Sequence, residues 1–318
     1  MAPKLFYIGL GNMGRHLKGM VKNIIKRGKD KYDGPLSIYN RSKPRTSALK
    51  SMGLGNTEMA DSIKAGVSKA DITFMCLAND QAVTETVEAI VQADIKGKVI
   101  VDCSTIHPDT SEAVAKAITS NGAEFVACPV FGAPAVADAG ALIAVPAGPK
   151  AAVDKIMPFL TGVTSRGIID LSDEPYHKAA TMKLIGNTFV LNMIEQLAEA
   201  HVLAEKSGLG TQNSHRFVEL LMPGIYTAYS NRMLSGDYWQ RDKPLFDVGL
   251  ARKDAGHALD IAETAGVKMG NLEIVDAHLA KVQEHSKNAD VASVYGAVRQ
   301  ESGLKYEIDD TEAWVNYE

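Results

Sequence analysis

Cysteine is scarce in this chain of 318 residues: there are three, Cys76, Cys103 and Cys128, far apart and with no C-x-x-C pair. That excludes a disulfide-stapled scaffold and a dithiol redox motif, and an odd, sparse count points to reduced thiols in a reducing compartment. Each falls in or beside an apolar, strand-like run, where a thiol serves as a small buried hydrophobe. An excess of positive charge is also missing. The formal net charge is −4, which argues against nucleic acid as a main partner, because phosphate binding asks for a basic face. No uninterrupted membrane-length run occurs. The best candidate, FVACPVFGAPAVADAGALIAVPAGP, contains Pro129, Pro134, Pro146 and Pro149 as well as Asp138, so it cannot be one spanning helix. The opening MAPKLFYIGLG has too short an apolar run for a secretory signal. No repeat, low-complexity tract, metal-ligand cluster or G-x-S-x-G elbow stands out. These absences suggest a cytoplasmic globular protein without membrane or nucleic-acid partners, long enough for two domains.

What is present changes character along the chain. The first half alternates apolar runs with helix-like segments. Strands are expected at 4–9, 35–40, 71–77, 98–103, 123–128, 141–145 and 166–171, and the clearest helices at 80–92 and 108–120. Several of the runs are continuously apolar, as strands buried on both faces are, so the pattern predicts an α/β domain with a mostly parallel, doubly wound sheet. After about Asp173 helical periodicity takes over, at 175–206, 211–222, 247–265, 268–286 and 291–301. The expected organisation is a Rossmann-type domain over 1–174, a connecting helix over 175–207 and an all-helical domain over 208–318.

The first strand runs straight into Gly9-Leu10-Gly11-Asn12-Met13-Gly14, which opens a helical stretch. G-x-G-x-x-G is weak alone, but strand before and helix after is the context a dinucleotide site requires. Gly9 permits the tight turn, Gly11 lets the backbone approach a pyrophosphate, and Gly14 lets helix and strand pack closely. N–H groups at the helix start hold the phosphates. The second strand ends in Asn40-Arg41-Ser42, with Lys43 and Arg45 following. NAD sites usually place an acid here for the ribose 2′-OH, about 20 residues beyond the glycines. The spacing is longer in this chain, and an arginine and a serine that can grip a 2′-phosphate stand in its place. The expected cofactor is therefore NADP(H); the competing reading is a solvated basic loop.

Further along, Ser104 and Thr105 lie between a strand end and a helix containing Pro108 and Asp109 in its first turn. Hydroxyls at the carboxyl end of a parallel strand face the ligand crevice, although capping of the helix is a serious rival. In the apolar helix ATMKLIGNTFVLNM, Lys183 and Asn187 stand four residues apart and so share one face.

GLGNMG, NRS, DCSTIHP, KLIGN and FDVGLARKDAGHALDIA occur here in the order seen in the β-hydroxyacid dehydrogenases, and over residues 4 to about 262 the chain resembles that family, to which imine reductases are related. The resemblance implies that Lys183 is the catalytic lysine and Asn187 its helix-mate at the substrate. It implies that Ser104 reaches the substrate and Thr105 the nicotinamide end, that Leu77, Ala78 and Asn79 follow the cofactor past the fourth strand, and that Lys253 approaches it from the helical domain. It also implies a homodimer. The activity expected is hydride transfer between NADP(H) and a small hydroxy acid and its aldehyde or keto acid, with Lys183 as general acid and base.

Two departures qualify this. The family's Ser-Gly-Gly after the sixth strand reads Phe131-Gly132-Ala133 here. A phenyl ring cannot donate to a substrate carboxylate, so that contact falls to the backbone N–H groups of the turn, and a larger or less polar substrate becomes thinkable. His177 and Lys178 replace glycines that often precede the lysine, and as lone residues they fit a surface position. Imine reduction is the first alternative; Lys183 speaks against it, because an ammonium repels an iminium. A non-catalytic cofactor-binding module is the second. Aromatic and Met residues of LLMPGIYTAYSNRM, 220–233, line an interface or the pocket, or simply fill the core.

Overall fold

Short apolar runs in the first half become strands that are buried on both faces. The structure, a computed structural model, describes residues 1–9, 14–41 and 56–308, without the side chains of 14–18. Strand β1 (Leu5–Ile8), helix α1 (Gly14–Arg27), β2 (Leu36–Tyr39), β3 (Thr57–Met59), α2 (Ile63–Lys69), β4 (Ile72–Met75), α3 (Asp80–Ile90), β5 (Val99–Asp102), α4 (Pro108–Ser120) and β6 (Glu124–Ala127) follow in order. The strands lie side by side as β3-β2-β1-β4-β5-β6, and every one of these pairs is parallel. This is the doubly wound arrangement that the alternating pattern predicts. Alternation within β1 shows how both faces are filled. Leu5 and Tyr7 join Met20, Val21 and Ile24 of α1 on one side, whereas Phe6 and Ile8 join Val83, Val87 and Ile118 of α3 and α4 on the other. Each such side chain contributes roughly 1.5–3 kcal/mol by leaving water.

The remainder of this unit extends the edge beyond β6. It comprises β7 (Val130–Phe131), α5 (Pro134–Asp138), β8 (Leu142–Ala144), β9 (Ala147–Gly148), α6 (Lys150–Leu160), β10 (Ser165–Ile168) and β11 (Leu171–Ser172). Strand β9 turns antiparallel to β6, and β11 follows β9 in parallel. Strands β10, β8 and β7 form a separate small sheet. The observed strands are shorter than the apolar runs suggest, and the expected 166–171 run divides between β10 and β11. Strands β3, β7 and β9 were not anticipated: the two-residue pairings are too short to show a period, and β3 is a polar edge strand, half to fully exposed.

Among the described residues from Tyr176 onward the elements are helical: α7 (Tyr176–Lys206), α8 (Thr211–Leu221), α9 (Ile225–Leu234), α10 (Asp237–Gln240), α11 (Val248–Thr264), α12 (Gly270–His285), a 3₁₀ turn (Val291–Ser293) and α13 (Val294–Glu301). Two compact units result, Met1–Lys183 and Leu184–Glu318, with the division inside α7. Helix α9 was not expected as such. The stretch 220–233, which ends α8 and forms most of α9, divides between two fates: Met233 is buried and Tyr226 and Tyr229 pack on the helical core, while Leu220, Leu221 and Ile225 are exposed. No helix of the described residues is long and apolar enough to cross a membrane.

The helical unit encloses a polar chain. Ser230 Oγ of α9 lies 2.8 Å from His201 Nε2 and 2.7 Å from His215 Nδ1, and His215 Nε2 lies 3.4 Å from Glu219 Oε1. One tautomer set satisfies it: His201 donates to Ser230, Ser230 donates to His215, and His215 points its remaining N–H at Glu219. Both imidazoles are then neutral. Burial lowers the His201 pKa to about 4, with His215 adding to the effect, and burial lowers His215 as well. An unfolded histidine takes its proton near pH 6.5, so the unfolded state gains protons first as the pH falls. Stability is therefore expected to be full above about pH 6.5 and to fall as the pH drops towards 4, with His201 alone costing up to roughly 3 kcal/mol. Thermal melts between pH 7 and 4.5 check this; His201→Phe should flatten the profile, and an unchanged slope would refute the assignment.

Candidate functional site

All the parallel strands point their carboxyl ends at one edge, and the order reverses between β1 and β4, where a crevice forms in such sheets. Gly9 follows β1 at that edge with φ +98°, and a Cβ there would come within 2.6 Å of the Cys76 carbonyl oxygen. Only glycine fits so close to the neighbouring strand end. Helix α1 begins at Gly14, so the start of the described helix provides the N–H groups a pyrophosphate needs. Leu10, Gly11, Asn12 and Met13 lie outside the described residues, as does Ser42. Asn40 and the exposed Arg41 follow β2 on the same edge. The residues present fit a dinucleotide: a glycine turn without room for a side chain, a helix N-terminus, and a basic residue after β2.

Past β4 come Leu77, Ala78 and Asn79. Asn79 caps α3, its Oδ1 accepting from Ala82 N at 2.9 Å, which leaves its Nδ2 and its backbone for a cofactor. Past β5, Ser104 and Thr105 are both buried. They do not cap α4. His107 takes that place, its Nδ1 accepting from Asp109 N, while its own N–H donates to Asp80 Oδ1. Ser104 Oγ accepts from Leu77 N at 2.9 Å, which joins the two strand ends and leaves the hydroxyl proton available for donation. The three cysteines are buried and unpaired with one another. Burial, with the Asp102 charge adding and Lys183 opposing, pushes the Cys76 thiol up to about 12. The Cys76 thiol is thus a buried hydrophobe, and the Lys183 charge is felt at the end of β4.

Lys183 itself is 9% exposed. Its Nζ stands 4.3 Å from the centroid of the Phe131 ring. Gly132, next in the turn, has φ +140° and no space for a Cβ, which would meet Leu142 and Val136 at 2.8 and 2.9 Å. Ala133 starts α5 without a side-chain cap. At the start of α7, His177 hydrogen-bonds Glu112 and Lys178 pairs with Glu174.

Asn187 follows one turn after Lys183 on α7, within the second unit. It is buried, and its Nδ2 donates to Asp254 Oδ2 at 2.6 Å. Lys253 Nζ stands 2.8 Å from the other carboxylate oxygen of Asp254. One buried carboxylate thus orients the amide and gathers the lysine, two residues that the sequence singles out separately. Asp254 escaped sequence reasoning, although a signal existed: it occupies the buried stripe Ala251, Asp254, Ala255, Ala258 of α11, where an acid needs partners.

Comparison with known proteins follows this geometry. Residues 4–171 match the family model described as the NAD binding domain of 6-phosphogluconate dehydrogenase. Residues 178–298 match that described as NAD-binding of NADP-dependent 3-hydroxyisobutyrate dehydrogenase. The NADH-dependent oxidoreductase ucdB of Aspergillus ustus is 36% identical over 289 residues, covering 90% of this chain and 97% of that protein. Glyoxylate/succinic semialdehyde reductase 1 of Arabidopsis thaliana is 29% identical over 270 residues, 83% of this chain and 86% of its own. The solved structure of Mycobacterium tuberculosis 3-hydroxyisobutyrate dehydrogenase with L-serine superposes with a TM-score of 0.78 at 21% identity, covering 94% of this chain and all of that one; at that identity the likeness is one of fold.

The cap at α3 generates a test. Asn79→Ala is expected to cost about 1 kcal/mol through the lost cap, and Asn79→Asp, which caps as well, should restore the melting temperature. Cofactor titration should show both variants within a few-fold of wild type. A large loss of cofactor affinity in Asn79→Asp at unchanged melting temperature would assign the side chain to the cofactor instead.

Proposed function

The chain belongs to the β-hydroxyacid dehydrogenase family and is an NAD(P)-dependent oxidoreductase, and we propose that it moves a hydride between NADP(H) and a small aldehyde or keto acid and its hydroxy acid, with Lys183 as general acid and base. The observation that carries this is the buried lysine at the carboxyl edge of the parallel sheet. When bound, the nicotinamide supplies or accepts the hydride. The protein's part is to stabilise the negative charge that grows on the carbonyl oxygen and to provide the proton, which a nearby ammonium does at once. Ser104 has a hydroxyl proton to give to a substrate oxygen. Where the family pattern has a serine, the backbone of the turn at Gly132 and Ala133 takes over the contact to the substrate. Asn187, its amide held by Asp254, is assigned to the substrate by the family pattern. The names of relatives that act on glyoxylate, succinic semialdehyde or 3-hydroxyisobutyrate support this substrate class. In the same reading, 1–174 is the cofactor domain, 175–207 the connecting helix and 208–318 the substrate and dimerisation domain. Large exposed side chains of the helical unit, Phe189, Leu203, Phe217 and Leu220, support a homodimer.

Imine reduction is the second reading, favoured by Phe131, which offers no hydroxyl. Lys183 weighs against it, since an ammonium beside an iminium is repulsive. A screen of semialdehydes, glyoxylate and cyclic imines, read by oxidation of the reduced cofactor, separates the two.

Coenzyme choice gives one prediction. No acid follows β2, and Arg41 stands there exposed, so NADPH should bind more tightly than NADH, even though the 36% identical relative is named NADH-dependent. A charge-assisted hydrogen bond is worth about 1.5–3 kcal/mol. Arg41→Ala should therefore weaken NADPH by roughly ten- to a hundredfold and leave NADH nearly unchanged in fluorescence titrations. A wild-type preference for NADH would overturn the assignment. Lys183 gives another. Its charge acts mainly in the transition state, so Lys183→Ala should lower kcat by about 10²–10⁴ with cofactor affinity retained. Lys183→Arg should also be poor, because guanidinium hardly releases a proton near neutral pH. A folded Lys183→Ala enzyme with kcat within a few-fold of wild type would make the lysine a packing residue.

A further inference from the structure

The side chain against Lys183 is aromatic, and it is held from several directions. Phe131 lies in β7, paired antiparallel with β8 opposite Ile143. Gly132 beside it cannot shift easily, since Leu142 and Val136 already fill the space a side chain would take. The ring itself packs on the sheet face that carries Phe6, Ile8 and Ile100. A ring set this firmly presents its π face at a fixed place, and the Lys183 nitrogen lies 4.3 Å from its centroid. The negative face of the ring quadrupole attracts an ammonium and has no comparable hold on a neutral amine. A hydroxyl in that position would bond to amine and ammonium alike. Among the described residues of the first unit, the Cys76 thiol, kept neutral by burial, feels the Lys183 charge and that of Asp102, whose Oδ1 accepts from Ser104 N. On the lysine's own helix, His177 and Lys178 are engaged with Glu112 and Glu174.

We infer that Phe131 is a positioning residue for Lys183: its ring face keeps the side chain in place as an ammonium, ready to give a proton to a carbonyl oxygen. The functional meaning rests on the proposed role of Lys183; the contact does not. In the step it serves, the carbonyl carbon receives a hydride from bound NAD(P)H and the π pair of the C=O bond passes to oxygen. The oxygen takes its proton from the ammonium, leaving Lys183 a neutral amine and the cofactor oxidised. A ring that favours the charged form keeps the proton on Lys183 at the start of that sequence.

The test reads the lysine without any substrate. Wild type, Phe131→Tyr, Phe131→Leu and a variant with pentafluorophenylalanine at 131 are labelled with trace acetic anhydride across a pH series, and acetylation of Lys183 is quantified by peptide mass spectrometry. Fluorination removes the negative ring face but keeps the ring's shape, so it separates charge from exposure. The pH of half-maximal labelling should fall by roughly half a unit to one unit in the leucine and fluorinated variants and stay near wild type in the tyrosine variant. If the leucine variant fails to fold, the fluorinated one decides. An equal midpoint in wild type and the fluorinated variant overturns the inference and leaves the catalytic role of Lys183 standing. An active Lys183→Ala enzyme overturns that role and leaves the labelling result standing.

Discussion

A parallel sheet can be stable only when both of its faces are covered, and that constraint organises the first unit. Parallel strands have to be joined by crossovers, and the helices of those crossovers are what cover the faces. Leu5 and Tyr7 therefore find α1 on one side, while Phe6 and Ile8 find α3 and α4 on the other. The same rule sends every strand the same way, so each loop that leaves a strand end lies on one edge. Gly9, Arg41, Leu77, Ser104 and Thr105 come from distant parts of the sequence and meet on that edge because the sheet is parallel.

Local contacts then tie the edge together. The hydrogen bond from Leu77 N to Ser104 Oγ joins the loops after β4 and β5, and the absence of a side chain at Gly9 lets β1 approach the Cys76 carbonyl. His107 relieves Ser104 and Thr105 of capping α4, so two buried hydroxyls stand at a ligand-facing edge without that structural duty. In the helical unit the polar groups are gathered by buried partners instead. Asp254 serves Asn187 and Lys253, and Ser230 serves His201 and His215. Each is a buried polar centre whose cost is offset only because its partners are in place.

Much of this was legible in the residues. The alternation of apolar runs and helical segments specified the doubly wound sheet, and the loss of strand-like runs after Asp173 marked the change to helices. The glycine motif and the ordered motifs of the family pointed to a dinucleotide enzyme and to Lys183. Elements without a period were not legible: β3 is polar and at an edge, and β7 and β9 are too short to repeat. Helix α9 hid behind Pro223 and Gly224, residues that punctuate a helix as readily as they end one.

Sequence by itself therefore determined what repeats locally: secondary structure with a clear period, the order of the crossovers, and the motif residues whose spacing is their signature. Tertiary structure alone decided the partnerships. Asn79 became a helix cap, and the hydroxyls after β5 did not. Asp254, unremarkable beside Lys253, became the group that orients an amide 67 residues away. Phe131, which reads as a lost hydroxyl, became the surface beneath an ammonium 52 positions further along the chain. The physical reason is range. Periodicity and capping act over a few residues and leave a trace in the chain, whereas a cation over a ring, or a carboxylate between two donors, exists only when folding brings separate segments within a few ångströms.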